Sequence, residues 1–357
     1  MKNLQTEPLT MACEAEVTQM DEPSKDEQMV TTLFEGCLGE TPATVTPLQR
    51  HASRRRLYRL CGGSHSTIGV CHDDVAENER FLEMSRRFRQ GGLPVPVIHG
   101  VGDDGRCYLE EDLGRETLFE QLQRYRTEGD RFPAAVEALY AEALHWLPRF
   151  QAEGARLLAP GPLPYDAGSM RDDLQYFRRS FLARFDMAAE DLEPDFDDLI
   201  EHLMSADSTH FMYRDFQARN IVVGDTSGQL GFIDYQSGRP GPLQYDVVSL
   251  LYQTRSQVPS DARVRLLNVY LDALETHLPV NREEFMSYLP GFVVLRLLQT
   301  LGTYGKVGLG ERHPDFVTVI PRTVRALLEQ LSTGLSMRLD RIRRVLEGLS
   351  ERVFTYA

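Results

Sequence analysis

The sequence predicts an α+β protein with two lobes, a small one that mixes strands with helices and a larger one that is mainly helical. Short strand-like segments separated by turns fill residues 41–111. From residue 112 onward, long amphipathic segments replace them. With 357 residues, 42% of them hydrophobic and 26% charged, the chain can bury the core that two lobes need. We expect a flexible acidic tail at 1–23, an N-terminal lobe with a leading helix at 24–111 and a helical C-terminal lobe at 112–357.

The N-terminal lobe is predicted to begin with a helix. Ser24 and Glu27 form an S-x-x-E capping box, apolar residues then recur at helical spacing, and Gly39 is a plausible C-cap. A second helix follows the cap-like pair Asp74 and Glu77 and ends at the glycine pair 91–92. The strands predicted around it are RLYRL (56–60), STIGV (66–70), PVIHGV (96–101) and CYLEE (107–111).

The C-terminal lobe is predicted to be helical apart from one β-hairpin. IVV (221–223) and LGFID (230–234) flank the turn GDTSG and are typical of paired strands. The helical segments expected from amphipathic periodicity are 115–127, 133–153, 171–187, 261–278, 282–303, 315–332 and 336–350, with a further helix at QYDVVSLLYQ.

Composition excludes several classes of protein. The N-terminus is polar and acidic, and no run of eighteen apolar residues occurs, so we expect a cytoplasmic protein with no membrane partner. A net charge of −14 argues against nucleic acid as the main partner. Five cysteines without a C-x-x-C pair predict reduced thiols, and the nine histidines show no zinc-ligand spacing.

Three polar residues around the hairpin indicate phosphoryl transfer. Asp215 and Asn220 have the spacing D-x-x-x-x-N, and Asp234 ends an apolar strand. A carboxylate before the hairpin can accept a proton from a hydroxyl nucleophile. The amide oxygen and the second carboxylate can converge on one magnesium ion that bridges nucleotide phosphates.

The stretch YRDFQARNIVV…GFIDYQSGRPGPLQYDVVSLLYQ resembles the aminoglycoside phosphotransferase superfamily. It is most similar to the bacterial branch of anomeric N-acetylmuramate/N-acetylglucosamine kinases, and the resemblance spans most of residues 45–310. HASRRRLYRL resembles the nucleotide loop of that branch, and YLEEDLG resembles its hinge. The resemblance implies a bilobal protein-kinase-like fold that uses ATP and Mg²⁺.

The resemblance also implies a role for individual residues. Asp215 would be the general base, Asn220 and Asp234 the magnesium ligands, and Asp246 a structural residue. The nucleotide would contact Ser53, Arg55, Glu77 and the hinge residues Glu110, Glu111 and Leu113. The neighbourhood of Asp234 helps to shape the acceptor pocket in these kinases, which makes Gln217, Arg219, Tyr235, Gln236 and Arg239 weaker substrate candidates.

The sequence departs from the protein-kinase pattern at two positions. The strand that normally carries a phosphate-binding lysine reads TIGVCHDD, and no lysine occurs between residues 25 and 306. Arg55 or Arg56 is the candidate substitute, because a guanidinium presents two parallel donors to phosphate oxygens. Tyr213 stands where these families have histidine. Glu77 and Asp246 also have a simpler interpretation as helix-capping residues.

The leading hypothesis is therefore an ATP- and Mg²⁺-dependent kinase of a small sugar with an anomeric acceptor hydroxyl. A nucleotidyltransferase would consume the sugar 1-phosphate. One alternative is a kinase for an aminoglycoside or choline-like acceptor. The other is a nucleotide-binding module without catalysis.

Overall fold

A five-stranded antiparallel sheet forms the first part of the fold. The computed structural model describes residues 23–48, 55–126, 132–158, 163–225, 228–333 and 335–353. The sheet contains β1 (Thr44–Pro47), β2 (Arg56–Cys61), β3 (Ser66–Cys71), β4 (Ile98–Val101) and β5 (Cys107–Glu111), in the order β1-β2-β3-β5-β4. The four predicted strands are confirmed, and β1 is an additional edge strand.

Helices cover both faces of this sheet. Helix α1 (Lys25–Leu38) has the predicted capping box and ends at Gly39, whose φ of 71° is left-handed. It packs Val30 and Phe34 against one face of the sheet. Helix α2 (Val75–Gln90) begins after Asp74, whose carboxylate accepts the Glu77 N–H, and it packs on the other face. The alternation of side chains along each strand separates these two faces.

Most of the chain beyond the sheet is helical. The helices are α3 (Leu118–Tyr125), α4 (Ala134–Leu157), α5 (Ala167–Ser180), α6 (Glu193–Leu203), α7 (Leu243–Leu251), α8 (Ser260–Glu275), α9 (Arg282–Thr303), α10 (Pro314–Val317), α11 (Ile320–Ser332) and α12 (Asp340–Val353). Only α6 lacks a counterpart in the sequence-based expectation. Residues Arg282–Gly310 are long and apolar enough to cross a membrane, but 72% of the apolar window is buried inside the protein, as in a core helix.

The predicted hairpin is present. Strand β8 (Ile221–Val223) pairs antiparallel with β9 (Leu230–Phe232), and β6 (Glu116–Thr117) joins β8 on its other side. Strands β7 (His210–Met212) and β10 (Arg239–Gly241) form a separate pair beside it. The segment that contains Asp215 and Asn220 connects β7 of one sheet to β8 of the other.

One expectation about the cysteines is wrong. Cys71 and Cys107 face each other across β3 and β5 and form a disulfide, with Cα atoms 4.2 Å apart. The two residues are separated by 36 positions, so their proximity comes from strand register and not from a local motif. Cys37 and Cys61 are free thiols, as expected, and Cys13 lies outside the described residues.

Candidate active site

Asp246 holds the loop before Asp215 in place through hydrogen bonds to its backbone. The two carboxylate oxygens of Asp246 accept the backbone N–H groups of Tyr213 and Arg214, each at 2.8 Å. Arg214 has a φ of 74°, so this turn adopts a conformation that is strained for an arginine. Burial raises the pKa of Asp246 to about 7, and the two N–H donors oppose that shift. The structural role is confirmed, whereas the helix-cap alternative is wrong because α7 already begins at Leu243.

Tyr213 stabilises the same loop through its side chain. Its hydroxyl donates a 2.6 Å hydrogen bond to the Ile233 carbonyl, which directly precedes Asp234. Its ring is fully buried and packs edge-on against Phe150 and Phe216. The tyrosine therefore connects the Asp215 loop to the Asp234 loop.

The structure brings Asp215, Asn220 and Asp234 together. The Asn220 amide donates to the Asp215 carbonyl at 2.9 Å and to Asp234 Oδ2 at 3.1 Å. Asn220 itself lies in a 3₁₀ turn, Ala218–Asn220, that leads directly into β8. This arrangement fixes the amide in one orientation and leaves its oxygen pointing away from both donor contacts. A carboxylate and an amide oxygen of this kind suit a hard divalent cation.

The surroundings of Asp234 disfavour the charged form of its carboxylate. Burial among protein atoms raises its pKa, and the nearby charge of Asp215 raises it further. Even so, 37% of its side chain is exposed, and its φ of 69° lies in the left-handed region. Strained backbone and a perturbed carboxylate at one residue are typical of a functional site.

Arg55 is the basic residue that faces this cluster. Its guanidinium lies 2.8 Å from Glu77 of α2 and 3.9 Å from Asp234. Arg56, the other candidate substitute for lysine, instead pairs with Asp26 and Asp73 near α1. The capping interpretation of Glu77 holds only for its backbone N–H, since its carboxylate is the partner of Arg55.

Two further candidates lie in the segment that follows Asp234. The Gln236 amide donates to Asp234 at 2.9 Å and to Glu77 at 3.3 Å, so it bridges the hairpin and α2. Tyr235 is fully buried, and its hydroxyl lies 2.6 Å from Ser85 Oγ. Tyr235 therefore has no surface for an acceptor to contact, because its ring is packed between α2 and the C-terminal core.

Gln217 also points into the protein. It is 4% exposed, donates to Asp215 at 3.2 Å and accepts from Gln253 at 3.1 Å. The oxygen of Gln253 in turn accepts from the hydroxyl of Tyr304. This chain of hydrogen bonds positions Asp215 and leaves Gln217 buried.

The two arginine candidates lie on either side of the loop. The positive charge of Arg219 acts to lower the pKa of Asp234 and of Tyr304. Arg219 therefore lies near Asp234, one of the two candidate magnesium ligands. Arg239 begins β10, and both burial and the neighbouring Arg214 lower its pKa. None of the described carboxylates forms an ion pair with Arg239.

The hinge residues lie where β5 ends. The Glu111 carboxylate accepts the Val97 N–H at 3.1 Å, and Leu113 packs against Gly231 of β9. Asp112 fixes this connection by accepting two hydrogen bonds from Arg59, at 2.8 and 3.0 Å. Glu110 is 9% exposed and faces the interior. Ser53, which the resemblance assigned to the nucleotide loop, lies outside the described residues.

Sequence reasoning missed one buried cation beside Asp215. Arg296 of α9 is 7% exposed and lies 3.6 Å from Asp215 Oδ1, and it also donates to Ser249 at 2.9 Å. Arg214, on the other side, pairs with the buried Asp173 at 3.3 Å. An arginine inside the apolar run VVLRLLQTL was the available indication, because a charge is buried only when it has partners.

Taken together, a partly exposed carboxylate, an amide–carboxylate pair and a buried arginine–glutamate pair converge on one cleft. The Asp215 carboxylate can orient a hydroxyl, the Asn220–Asp234 pair can bind a cation, and the Arg55–Glu77 pair can bind phosphate oxygens.

Comparison with known proteins identifies relatives of this chain. The N-acetylmuramate/N-acetylglucosamine kinase of Pseudomonas aeruginosa is 27% identical over 296 residues, which cover 80% of this chain and 83% of that protein. The enzyme of the same name from Neisseria meningitidis is 26% identical over 77% of this chain and 82% of its own length.

Solved structures show the same fold. Choline kinase LicA from Streptococcus pneumoniae superposes with a TM-score of 0.57 at 14% identity, covering 86% of this chain and all of that one. LicA has also been solved in complex with AMP. The sequence model of the phosphotransferase enzyme family matches residues 69–284, which include Asp215, Asn220 and Asp234. The chain therefore has a protein-kinase-like fold and belongs to the phosphotransferase enzyme family.

Proposed function

We propose that this phosphotransferase uses ATP and Mg²⁺ to phosphorylate a small sugar at its anomeric hydroxyl, giving a sugar 1-phosphate. The observation that carries the proposal is the approach of Asp215, the Asn220–Asp234 pair and the Arg55–Glu77 pair to one cleft. The choice of a sugar rests on the names of the two bacterial relatives, which cover most of the chain.

In the proposed reaction Asp215 accepts a hydrogen bond from the acceptor hydroxyl and takes its proton. The hydroxyl oxygen attacks the γ-phosphorus, whose bond to the β–γ bridging oxygen breaks, and ADP leaves. Gln217 and Arg296 hold the carboxylate in the orientation that this attack requires. Arg55 donates to the phosphate oxygens of the nucleotide, while Glu77 keeps its guanidinium in place. Arrangement of fixed charges around the phosphoryl group provides most of the catalysis in this class of reaction.

The oxygen atoms of Asn220 and Asp234 fit a magnesium ion. Both are hard ligands, and a cation would relieve the repulsion between Asp234 and Asp215 that raises the pKa of Asp234. When bound, the ion would neutralise the negative charge that develops on the phosphoryl group.

Charges near Asp215 favour a neutral or anionic acceptor over a cationic one. Arg214 and Arg296 flank this carboxylate, and the half-buried Arg239 stands beside Arg214 without a carboxylate partner among the described residues. An aminoglycoside or a choline-like amine would have to approach these guanidinium groups. A sugar that carries a carboxylate could instead accept hydrogen bonds from Arg239.

The proposal is tested by phosphorus NMR of ATP, Mg²⁺ and a panel of hexoses and N-acetylhexosamines. The wild type should produce an anomeric phosphate signal, and Asp215→Asn should lower turnover by roughly two to four orders of magnitude while remaining folded. Asp261→Asn, a change of the same kind at an exposed position on α8, is the matched control and should keep wild-type turnover.

Two outcomes would contradict the proposal. Normal turnover by Asp215→Asn would exclude Asp215 as the base. If ATP stabilises the wild type against heat but no acceptor on the panel is phosphorylated, the chain would be a nucleotide-binding module instead.

Where the product is a sugar 1-phosphate, we expect the reaction to occur in the cytoplasm and a nucleotidyltransferase to consume it.

A further inference from the structure

Strand β5, which lies between β3 and β4 in the N-terminal sheet, carries a buried acidic side chain near its end. Along β5 alternate residues face opposite sides, so Glu110 lies on the same face as Tyr108, whose ring stacks on Phe81 of α2. The cross-strand neighbours of Glu110 are Ile68 on β3 and Ile98 on β4, both only partly buried. Glu110 therefore stands at the centre of an apolar surface that is still open in part.

One oxygen of this side chain is isolated. Glu110 is 9% exposed, and its Oε2 has no hydrogen-bond partner among the described residues. Two charged neighbours that act on Glu110, Arg55 and Asp112, pair with Glu77 and with Arg59. A buried polar atom without a partner is costly, and a bound group that offers it a hydrogen bond would remove that cost.

The surroundings of Glu110 favour its protonated form. Burial raises its pKa to about 8, Arg55 opposes the shift, and the carboxylates of Asp112 and Asp234 add to it. The remaining titratable groups that face it are the hydroxyls of Tyr108 and Tyr235. A protonated carboxyl offers one donor and one acceptor side by side, the same pattern as an amide.

We propose that the Glu110 carboxyl recognises the N6/N7 edge of a bound adenine and thereby selects ATP over GTP. Its O–H donates to N7, and its carbonyl oxygen accepts from the N6 amino group. Guanine presents two acceptors, N7 and O6, on the same edge, so the carbonyl oxygen would face O6 without a hydrogen. This inference rests on the proposed nucleotide-dependent function and adds a residue that determines which nucleotide is bound.

Isothermal titration with ADP, GDP and 7-deaza-ADP tests the proposal without requiring turnover. The wild type should bind ADP about tenfold more tightly than either of the other two, because 7-deaza-ADP lacks the N7 acceptor. Glu110→Gln should keep the preference, since an amide reproduces the donor and the acceptor. Glu110→Leu should bind all three ligands with nearly equal affinity, and Glu79→Gln, an exposed change on α2, should behave as the wild type.

The dependence on pH separates this role from simple packing. As pH rises from 7 to 9, the carboxyl ionises and can no longer donate, so the wild-type preference for ADP over 7-deaza-ADP should disappear. The preference of Glu110→Gln should stay constant over the same range. A folded Glu110→Leu variant that still prefers ADP would overturn this inference but would leave the proposed function standing. If the wild type binds no nucleotide, the proposed function fails as well.

Discussion

Two buried arginines lie beside the carboxylates of the candidate active site. Arg55 stands between Glu77 and Asp234 at the N-terminal side of the cleft, and Arg296 stands against Asp215 at the C-terminal side. Each arginine is less than one tenth exposed, and carboxylate oxygens lie beside each guanidinium. Removing one partner of such a group is costly, because the other charge stays buried.

Arg296 acts as a positioning residue for Asp215, and kinetics can test this. We expect Arg296→Met to lower kcat about 100-fold and to leave KM for ATP within about threefold, since the orientation of Asp215 changes and the nucleotide contacts do not. Arg296→Lys should recover part of kcat by restoring the charge. The exposed Arg265→Met is the control. An unchanged kcat in Arg296→Met would show that Asp215 is held by other contacts.

The protonation of Glu110 also has a consequence for stability. Its pKa is about 8 in the folded protein and about 4.5 when exposed, so the folded chain holds a proton that the unfolded chain releases between these values. Stability should therefore fall as pH rises across that window. Glu110→Gln avoids this loss, and its melting temperature should exceed that of the wild type by about 2 °C or more at pH 8 but not at pH 4.5. Equal differences at both pH values would contradict this.

At the scale of elements, the end of α9 is shaped by close packing. Residues Tyr304–Gly310 form a π-helical turn, and a Cβ added to Gly305 would lie 2.2 Å from the Ser180 carbonyl at the end of α5. Tyr304, the first residue of that turn, donates to Gln253 and so belongs to the chain that reaches Asp215. Wide turns of this kind occur often at functional sites.

Two glycines provide a matched comparison. Gly305→Ala should destabilise the protein by about 1 to 3 kcal/mol, because the added carbon meets backbone that cannot move aside. Gly36→Ala in α1 should instead stabilise it by about 0.5 to 1 kcal/mol, since nothing lies within 4 Å and alanine favours helix. Urea denaturation measures both changes. Similar effects at the two sites would show that the π turn adapts.

Local patterns predicted the elements well, and long-range contacts account for what they missed. Capping residues and apolar periodicity located α1, α2 and most later helices, and turn chemistry located the hairpin. Strand β1 is a four-residue, mostly exposed edge that only pairing with β2 reveals. The Cys71–Cys107 disulfide and the contact between Arg296 and Asp215 join residues 36 and 81 positions apart, so no local pattern contains them.

At the scale of the whole molecule, one hydrophobic core joins the sheet-bearing part to the helical part. Phe88 of α2 packs edge-on against Phe150 of α4 and Phe211 of β7. Phe81 stacks on Tyr235, which follows the hairpin. Separation of the two parts would expose these aromatic rings to water.

Calorimetry should therefore show a single unfolding transition for the full chain. We also expect the isolated segment 24–111 to lack a cooperative transition, because Phe81 and Phe88 would lose their partners. Addition of ADP should raise the single melting temperature as a whole. Two separate transitions, or a stable 24–111 fragment, would show that the parts fold independently.

The proposed use of Arg55 in place of a lysine has a practical consequence for chemical labelling. Nucleotide probes that acylate an active-site amine need a lysine beside the phosphates, and the sequence has none between residues 25 and 306. Such probes should leave this cleft unmodified. Dicarbonyl reagents, which react with guanidinium groups, are suited to it instead, and bound nucleotide should protect Arg55 from them. A profiling method that detects kinases through their lysine would pass over this enzyme and every relative built in the same way.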